Sequence, residues 1–226
     1  MTMTLAFETF TLAAATADLD DEPAAREHAD CVEFRLDLAE HPFDSLSGYD
    51  GELPLIVTNR AAWEGGQAPD DGRLDALVEA VEHDAVGAVD IELAALDDGD
   101  GHDLIAAARR RDVSVIVSTH DFESTPPRAE LDRLLERAAE HGDVAKLAVT
   151  ATNRDDTLSL LTATHAATKR GTRVATMAMG TAGSHTRAVA PVYGSKIGYA
   201  PVDPADATAP GQYDLATLRT LVDRLR

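Results

Sequence analysis

Eight short apolar segments recur along the chain, each followed by a stretch able to form a helix. They cover residues 3–11, 31–38, 55–59, 88–93, 113–118, 144–149, 173–179 and 196–200. Residues 73–83 follow Asp70 and Asp71, which can cap a helix, and residues 103–111 end in three arginines, favourable at a helix C-terminus. Leu131, Leu134, Leu135 and Ala138 keep the i, i+3, i+4, i+7 spacing of a buried helical stripe. Residues 153–169 and 215–225 complete the helical set. Strands alternating with helices predict an α/β fold with a parallel sheet. No glycine-rich nucleotide fingerprint follows the first segment, which weighs against an open doubly wound sheet. Eight strands fit a closed (β/α)8 TIM barrel, a single compact domain over residues 1–226, shorter than the ~250 residues typical of that fold. In such a barrel the chemistry belongs at the C-terminal ends of the strands.

Several of those ends carry charge. Lys146 lies inside the apolar run Val144–Val149, where strand alternation puts Val144, Lys146 and Ala148 on one face. The chain has only two other lysines, Lys169 and Lys196. Burial disfavours a charged amine, and a neutral amine is a nucleophile toward carbonyls. An edge lysine reaching to solvent is the plainer alternative. His120 lies just past the β-branched run 115–118, and imidazole suits repeated proton transfer near neutral pH. His83, His141 and His165 fall in helices or loops and read as surface residues. Glu33, Arg35 and Asp37 share one face of their segment, opposite Val32, Phe34, Leu36 and Leu38. Helices cover the outside of a barrel, so the charged face is expected to point inward, where charges persist when paired or used. Arg60 and Glu64 follow the third segment, and Arg187 follows the seventh on a glycine-containing turn suited to holding an anion.

Composition limits the partners. The formal net charge is −20, which argues against nucleic acid, because phosphate binding needs clustered positive charge. An acidic, alanine-rich, lysine-poor chain fits adaptation to high salt, where screening suppresses self-repulsion. No apolar run reaches the ~18–20 residues of a membrane span. The first ten residues lack a basic start and include Glu8, so they do not read as a signal peptide. The single cysteine, Cys31, excludes an internal disulfide. These features lead to an expectation of a cytoplasmic protein.

Taken in order, Glu33-x-Arg35, Arg60-x-x-x-Glu64-Gly-Gly, Ser118-Thr-His120-Asp-Phe, Lys146-Leu-Ala, Met179-Gly-x-x-Gly-x-x-x-Arg187, Tyr193-Gly-Ser195 and Ala209-Pro-Gly-Gln212 resemble the motifs of type I 3-dehydroquinate dehydratases. The match runs from about Cys31 to Gln212. Thr208 stands where the family usually has serine, and it keeps the hydroxyl. The resemblance implies dehydration of 3-dehydroquinate to 3-dehydroshikimate in the shikimate pathway, toward chorismate and the aromatic amino acids. It implies a Schiff base on Lys146, proton transfer by His120 and orientation of His120 by Glu64. Arg187 would pair with the substrate carboxylate. Glu33, Arg35 and Arg60 would bind hydroxyls, and Thr208 and Gln212 would close over the top. No cofactor or metal is implied, because the imine supplies the electron sink. Family members are often dimers, so a homodimer is an expectation.

Three other readings use the same residues. A class I aldolase would share Lys146 but should show a sugar-phosphate site. A metal-dependent hydrolase or isomerase would use Glu33, Asp37, Glu92 and His120 as ligands, which lack a compact motif. A non-catalytic, salt-adapted barrel would leave a buried lysine beside a strand-end histidine unexplained. Residues 201–213 hold Pro201, Pro204, Pro210 and Gly211 and few large apolar groups, which predicts a mobile loop at the catalytic face.

The charge generates a direct expectation. The melting temperature should rise between 0.1 and 3 M potassium chloride, since the Debye length falls to ~3 Å at 1 M. A flat thermal-unfolding series over that range would contradict salt adaptation.

Overall fold

The computed structural model describes residues 3–203, 205 and 211–226. Its strands are β1 (Thr11–Thr16), β2 (Cys31–Arg35), β3 (Leu55–Thr58), β4 (Val86–Glu92), β5 (Ser114–Asp121), β6 (Val144–Thr150), β7 (Val174–Met179) and β8 (Ile197–Pro201). Its α-helices are α1 (Glu22–Ala25), α2 (Pro42–Gly48), α3 (Arg73–Ala80), α4 (Leu93–Asp97), α5 (His102–Arg110), α6 (Arg128–His141), α7 (Arg154–Lys169), α8 (Thr186–Val189) and α9 (Leu215–Leu225). All strand pairs are parallel, in the order β7-β6-β5-β4-β3-β2-β1-β8. A bridge between Val174 and Ser195 brings the two ends together, with the Lys196 amide donating to the Val174 carbonyl at 2.7 Å. The result is the expected (β/α)8 barrel, nearly closed.

Strand alternation divides the core in two. Val32, Phe34, Val57, Val89, Val115, Val117, Leu147 and Val149 face outward and pack with the helices in the larger apolar cluster. Cys31, Ile56, Ala88, Ile116, Val144, Ala148, Met177 and Tyr199 face the axis in a smaller one. The inner face is apolar low in the barrel and charged toward the C-terminal ends. This is why β2, β4 and β6 each carry apolar and ionised side chains on the same inward row.

The first predicted strand is displaced. Residues 3–10 form no strand; Leu5 and Phe7 instead join the inner cluster. The Leu5 carbonyl accepts from Ser114 Oγ at 2.7 Å. Met3, Leu5 and Phe7 alternate as a strand would, but Leu5 and Phe7 plug the barrel rather than pair, and Met3 is exposed. The true β1, Thr-Leu-Ala-Ala-Ala-Thr, is buried along its whole length and shows no polar alternation. Asp37 also falls outside its predicted strand, in the turn after Arg35.

Helix starts differ in detail. Gly72, in a left-handed conformation, precedes α3 with no side-chain cap, so Asp70 and Asp71 do not cap it; Asp70 accepts from Trp63 Nε1 at 2.7 Å. Asn153 caps α7 reciprocally with Asp156, a capping box. The stripe of α6 is present: Leu131, Leu135 and Ala138 are buried and Leu134 packs partly against the core. Among the described residues, no helix is long and apolar enough to cross a membrane.

Candidate active site

The C-terminal mouth of the barrel holds a pocket lined by Glu33, Arg35, Arg60, Glu64, His120, Lys146, Arg187, Tyr199 and Gln212, among others. Thr208 lies outside the described residues, as does most of the segment 204–210. Of the other residues singled out from the sequence, Lys146, His120, Glu64, Glu33, Arg35, Arg60, Arg187 and Gln212 line this pocket, whereas Asp37 and Glu92 do not.

Lys146 is 5% exposed. Its Nζ donates to Asp90 Oδ2 at 2.8 Å, lies 3.6 Å from Glu33 Oε1 and sits 4.2 Å from the centre of the Tyr199 ring. Glu33 Oε1 also accepts from Thr58 Oγ1 at 3.0 Å. The sequence suggested that burial alone leaves this amine neutral. The structure adds two carboxylates that face it, Asp90 and Glu33, which burial alone did not include.

Asp90 was not singled out from the sequence, and it is the hub. Its Oδ1 accepts from Arg60 at 2.7 Å and from Ser118 Oγ at 2.7 Å, while Oδ2 takes Lys146. Burial would raise its carboxyl, but Arg60 and Lys146 outweigh burial and hold it well below the usual carboxylate range. Glu92, two residues on, accepts from Arg60 at 2.9 Å, from the Ala61 amide at 3.0 Å and from Arg73 at 2.5 Å. The signal for both was present: Ala88, Asp90 and Glu92 share one strand face, as Glu33 and Arg35 do.

Glu64 and His120 form a second unit. Glu64 Oε1 lies 2.7 Å from His120 Nδ1. Burial pushes the Glu64 carboxyl up to about 8; Arg60 opposes the rise, and Glu92 and Asp90 add to it. Burial, with the charges of Arg60 and Lys146, pushes the imidazole well below its ordinary value. At neutral pH the pair therefore carries no net charge and holds its exchangeable proton. Two glycines shape the turn beneath it. A side chain at Gly65, where φ is +83°, would lie 2.4 Å from the Phe122 ring, and one at Gly66 would lie 2.0 Å from the Arg60 carbonyl oxygen. Phe122 in turn stacks near His120, with ring centroids 6.1 Å apart.

Charge bookkeeping isolates one group. Arg35 is clamped by Asp37, at 2.8 and 2.6 Å. Arg60, Arg73 and Lys146 are engaged with Asp90, Glu92 and Glu33. Four cations thus meet four carboxylates. Arg187, 4% exposed on α8, has Nε and one terminal nitrogen buried with no hydrogen-bond partner among the described residues. Burial pushes its guanidinium down to about 10, so it stays charged at neutral pH. The same bookkeeping disperses the four candidate metal ligands: Glu33 goes to Thr58 and Lys146, Asp37 to Arg35, Glu92 to Arg60 and Arg73, and His120 to Glu64.

Barrel and pocket together are those of an enzyme with its site at the C-terminal mouth. The profile of the type I 3-dehydroquinase family matches residues 9–225. The chain is 63% identical over 224 residues to the 3-dehydroquinate dehydratase of Haloarcula marismortui, covering 97% of this chain and 98% of that protein. The corresponding protein of Haloquadratum walsbyi is 53% identical, with 99% and 96% covered. The crystal structure of 3-dehydroquinate dehydratase from Geobacillus kaustophilus superposes with a TM-score of 0.85 at 27% identity, over 96% of this chain and 91% of that one. The chain belongs to the type I 3-dehydroquinase family, a family of hydro-lyases.

The buried network makes its own forecast. Asp90→Asn leaves Lys146 and Arg60 short of a countercharge and should cost about 3–5 kcal/mol of stability. Chemical denaturation at fixed molar salt checks this; a loss below about 1 kcal/mol would show that Asp90 is not the hub.

Proposed function

We propose that the chain converts 3-dehydroquinate to 3-dehydroshikimate and water through a Schiff base on Lys146, as a step of the shikimate pathway. The observation that carries this reading is the stacking of two chemical layers inside the barrel. Ser118 pairs with Lys146 in the β5–β6 register, and His120 pairs with Ala148. His120 therefore sits two residues nearer the mouth than Lys146, about 7 Å along the strands. A carbonyl carbon held at the amine puts its neighbouring carbon near the imidazole.

Lys146, relieved of a proton, adds to the C3 ketone, and the adduct loses water to give a protonated imine. That imine withdraws electrons and acidifies C2. His120 removes the C2 proton, and the electron pair becomes an enamine. The enamine expels the C1 hydroxyl, which leaves as water with the proton His120 has taken. A second water hydrolyses the imine, frees the product ketone and restores the amine. The water released on condensation equals the one consumed on hydrolysis, so the net change is loss of one water from the substrate. Arg187 supplies the countercharge for the substrate carboxylate, restoring neutrality to a pocket with one cation in excess. Glu33, Arg35, Arg60 and Gln212 line the remaining wall and meet hydroxyls, with Thr208 assigned alongside them. Glu64 orients His120 and sets when it is a base. With Nδ1–H donated to an ionised Glu64, the imidazole Nε2 is free to accept a proton. With Glu64 protonated, the base form is blocked.

Borohydride reduction in the presence of 3-dehydroquinate should fix the carbon skeleton on Lys146 alone. Lys169 is exposed, and Lys196 donates to the Glu8 carbonyl at 2.6 Å, so both serve as internal controls for peptide mass mapping. An adduct confined to either of them, or full activity in Lys146→Ala, would end this mechanism.

His120→Ala should lose kcat by about 10²–10⁴-fold while still binding ligand. In the unsubstituted enzyme, kcat/KM should rise with pH through a limb near the Glu64 value of about 8, as the pair gives up its proton. A kcat within about threefold of the unsubstituted enzyme in His120→Ala would assign the base elsewhere.

A further inference from the structure

We propose that Arg73 is a positioning residue for the reaction, acting through Glu92 to fix Arg60 and the charge balance around the Glu64–His120 pair. The proposal rests on the reading of His120 as the proton-transfer group. Arg73 opens α3, outside the strand ring, yet it is only 5% exposed. One terminal nitrogen reaches Glu92 Oε2 at 2.5 Å and the Asn59 carbonyl at 3.3 Å. The Asn59 side-chain amide answers by donating to the Arg73 carbonyl at 3.0 Å. This clamp ties the start of α3 to the end of β3. The Trp63 ring lies 6.0 Å from the guanidinium carbon on the outer side.

Arg73 holds one oxygen of Glu92, and the other takes Arg60 and the Ala61 amide. From there the chain of charges runs Arg73, Glu92, Arg60, Asp90, Lys146, alternating in sign. Arg73 is its outer end and does not line the substrate pocket. A purely structural ion pair would end at Glu92. Here Arg60 shares its guanidinium among Glu92, Asp90 and Ser118, so its placement depends on where Glu92 is held.

Without Arg73, Glu92 has a buried oxygen with no donor from α3. Turning that oxygen onto Arg60 draws the guanidinium off Asp90 and Ser118. The site also becomes more negative by one charge. The charged groups acting on Glu64 and His120 are Arg60 at the end of β3, Asp90 and Glu92 on β4, Lys146 on β6 and Arg35 on β2. Added negative charge among them makes the pair hold its proton to higher pH.

The experiment compares Arg73→Met, Arg73→Gln and Arg73→Lys with the unsubstituted enzyme in one molar-salt buffer, reading kcat, KM for 3-dehydroquinate and the pH profile. Arg73→Met should lower kcat by roughly ten- to a hundredfold, in keeping with misplaced catalytic groups, with KM nearly unchanged. Its acid limb should move up by about one pH unit. Arg73→Lys should restore the limb and most of kcat. Arg73→Gln keeps a donor to Glu92 without the charge, and should show the limb shift even if Arg73→Met does not fold. An unmoved limb in Arg73→Gln, with kcat within threefold of the unsubstituted enzyme, would overturn the proposal whatever the melting temperature does. The underlying reading fails separately, through an undiminished kcat in His120→Ala.

Discussion

The Asp90 carboxylate, sealed inside the barrel between Lys146, Arg60 and Ser118, is the contact on which the rest of the site depends. A carboxylate taken out of water loses several kcal/mol of solvation, and only close countercharges with good hydrogen bonds offset the loss. Asp90 has both. Its two oxygens then dictate where the other groups stand. One fixes the amine on β6, and the other fixes a guanidinium arriving from β3. Strands that are not neighbours in the sheet are thereby tied across the axis. The inner charges are an interdependent set, in which loss of one member leaves another uncompensated.

Under the proposed function, this balance lets a strongly acidic protein hold an anionic substrate. The net charge of −20 would repel a carboxylate approaching from a distance at low ionic strength. At molar salt the Debye length is ~3 Å, so repulsion between exposed charges is largely screened. Pairs buried away from water are screened much less. An acidic exterior and a cation held at 4% exposure thus operate under different screening. In the proposed role, Arg187 acts at contact range, where geometry selects the ligand, and little long-range steering is required. The high identity to 3-dehydroquinate dehydratases of halophilic archaea agrees with such a division.

The parts of this arrangement that could be read in the sequence are those where chemistry and periodicity coincide. Lys146 interrupts an apolar strand, and Glu33 and Arg35 alternate with Val32 and Phe34, so the period of two assigns each a face. Asp90 and Glu92 obey the same rule between Val89, Ile91 and Leu93, yet Asp90 was passed over and Glu92 was considered only as a candidate metal ligand. β1 was misplaced because three alanines buried on both faces have no amphipathic signature, whereas Met3, Leu5 and Phe7 imitate one. Arg73 was legible only as the start of a helix. Its return to Glu92 spans 19 positions and depends on how α3 folds back onto β4.

The site's geometry is finally a matter of register. On β5 the inward row is Ile116, Ser118 and His120, and on β6 it is Val144, Lys146 and Ala148. A slip of one residue along β5 would turn Thr119 inward and send His120 toward the helices. A slip of two would keep the faces but bring His120 level with Lys146, removing the separation on which the proposed mechanism relies. The outward residues resist both changes: Val115 and Val117 are fitted to the helical layer, and the Val115 amide is held by Asp143 at 2.8 Å. The spacing between Lys146 and His120 is therefore maintained by apolar packing on the opposite face of the same strands. That division lets the inner row carry charges that packing alone would never select.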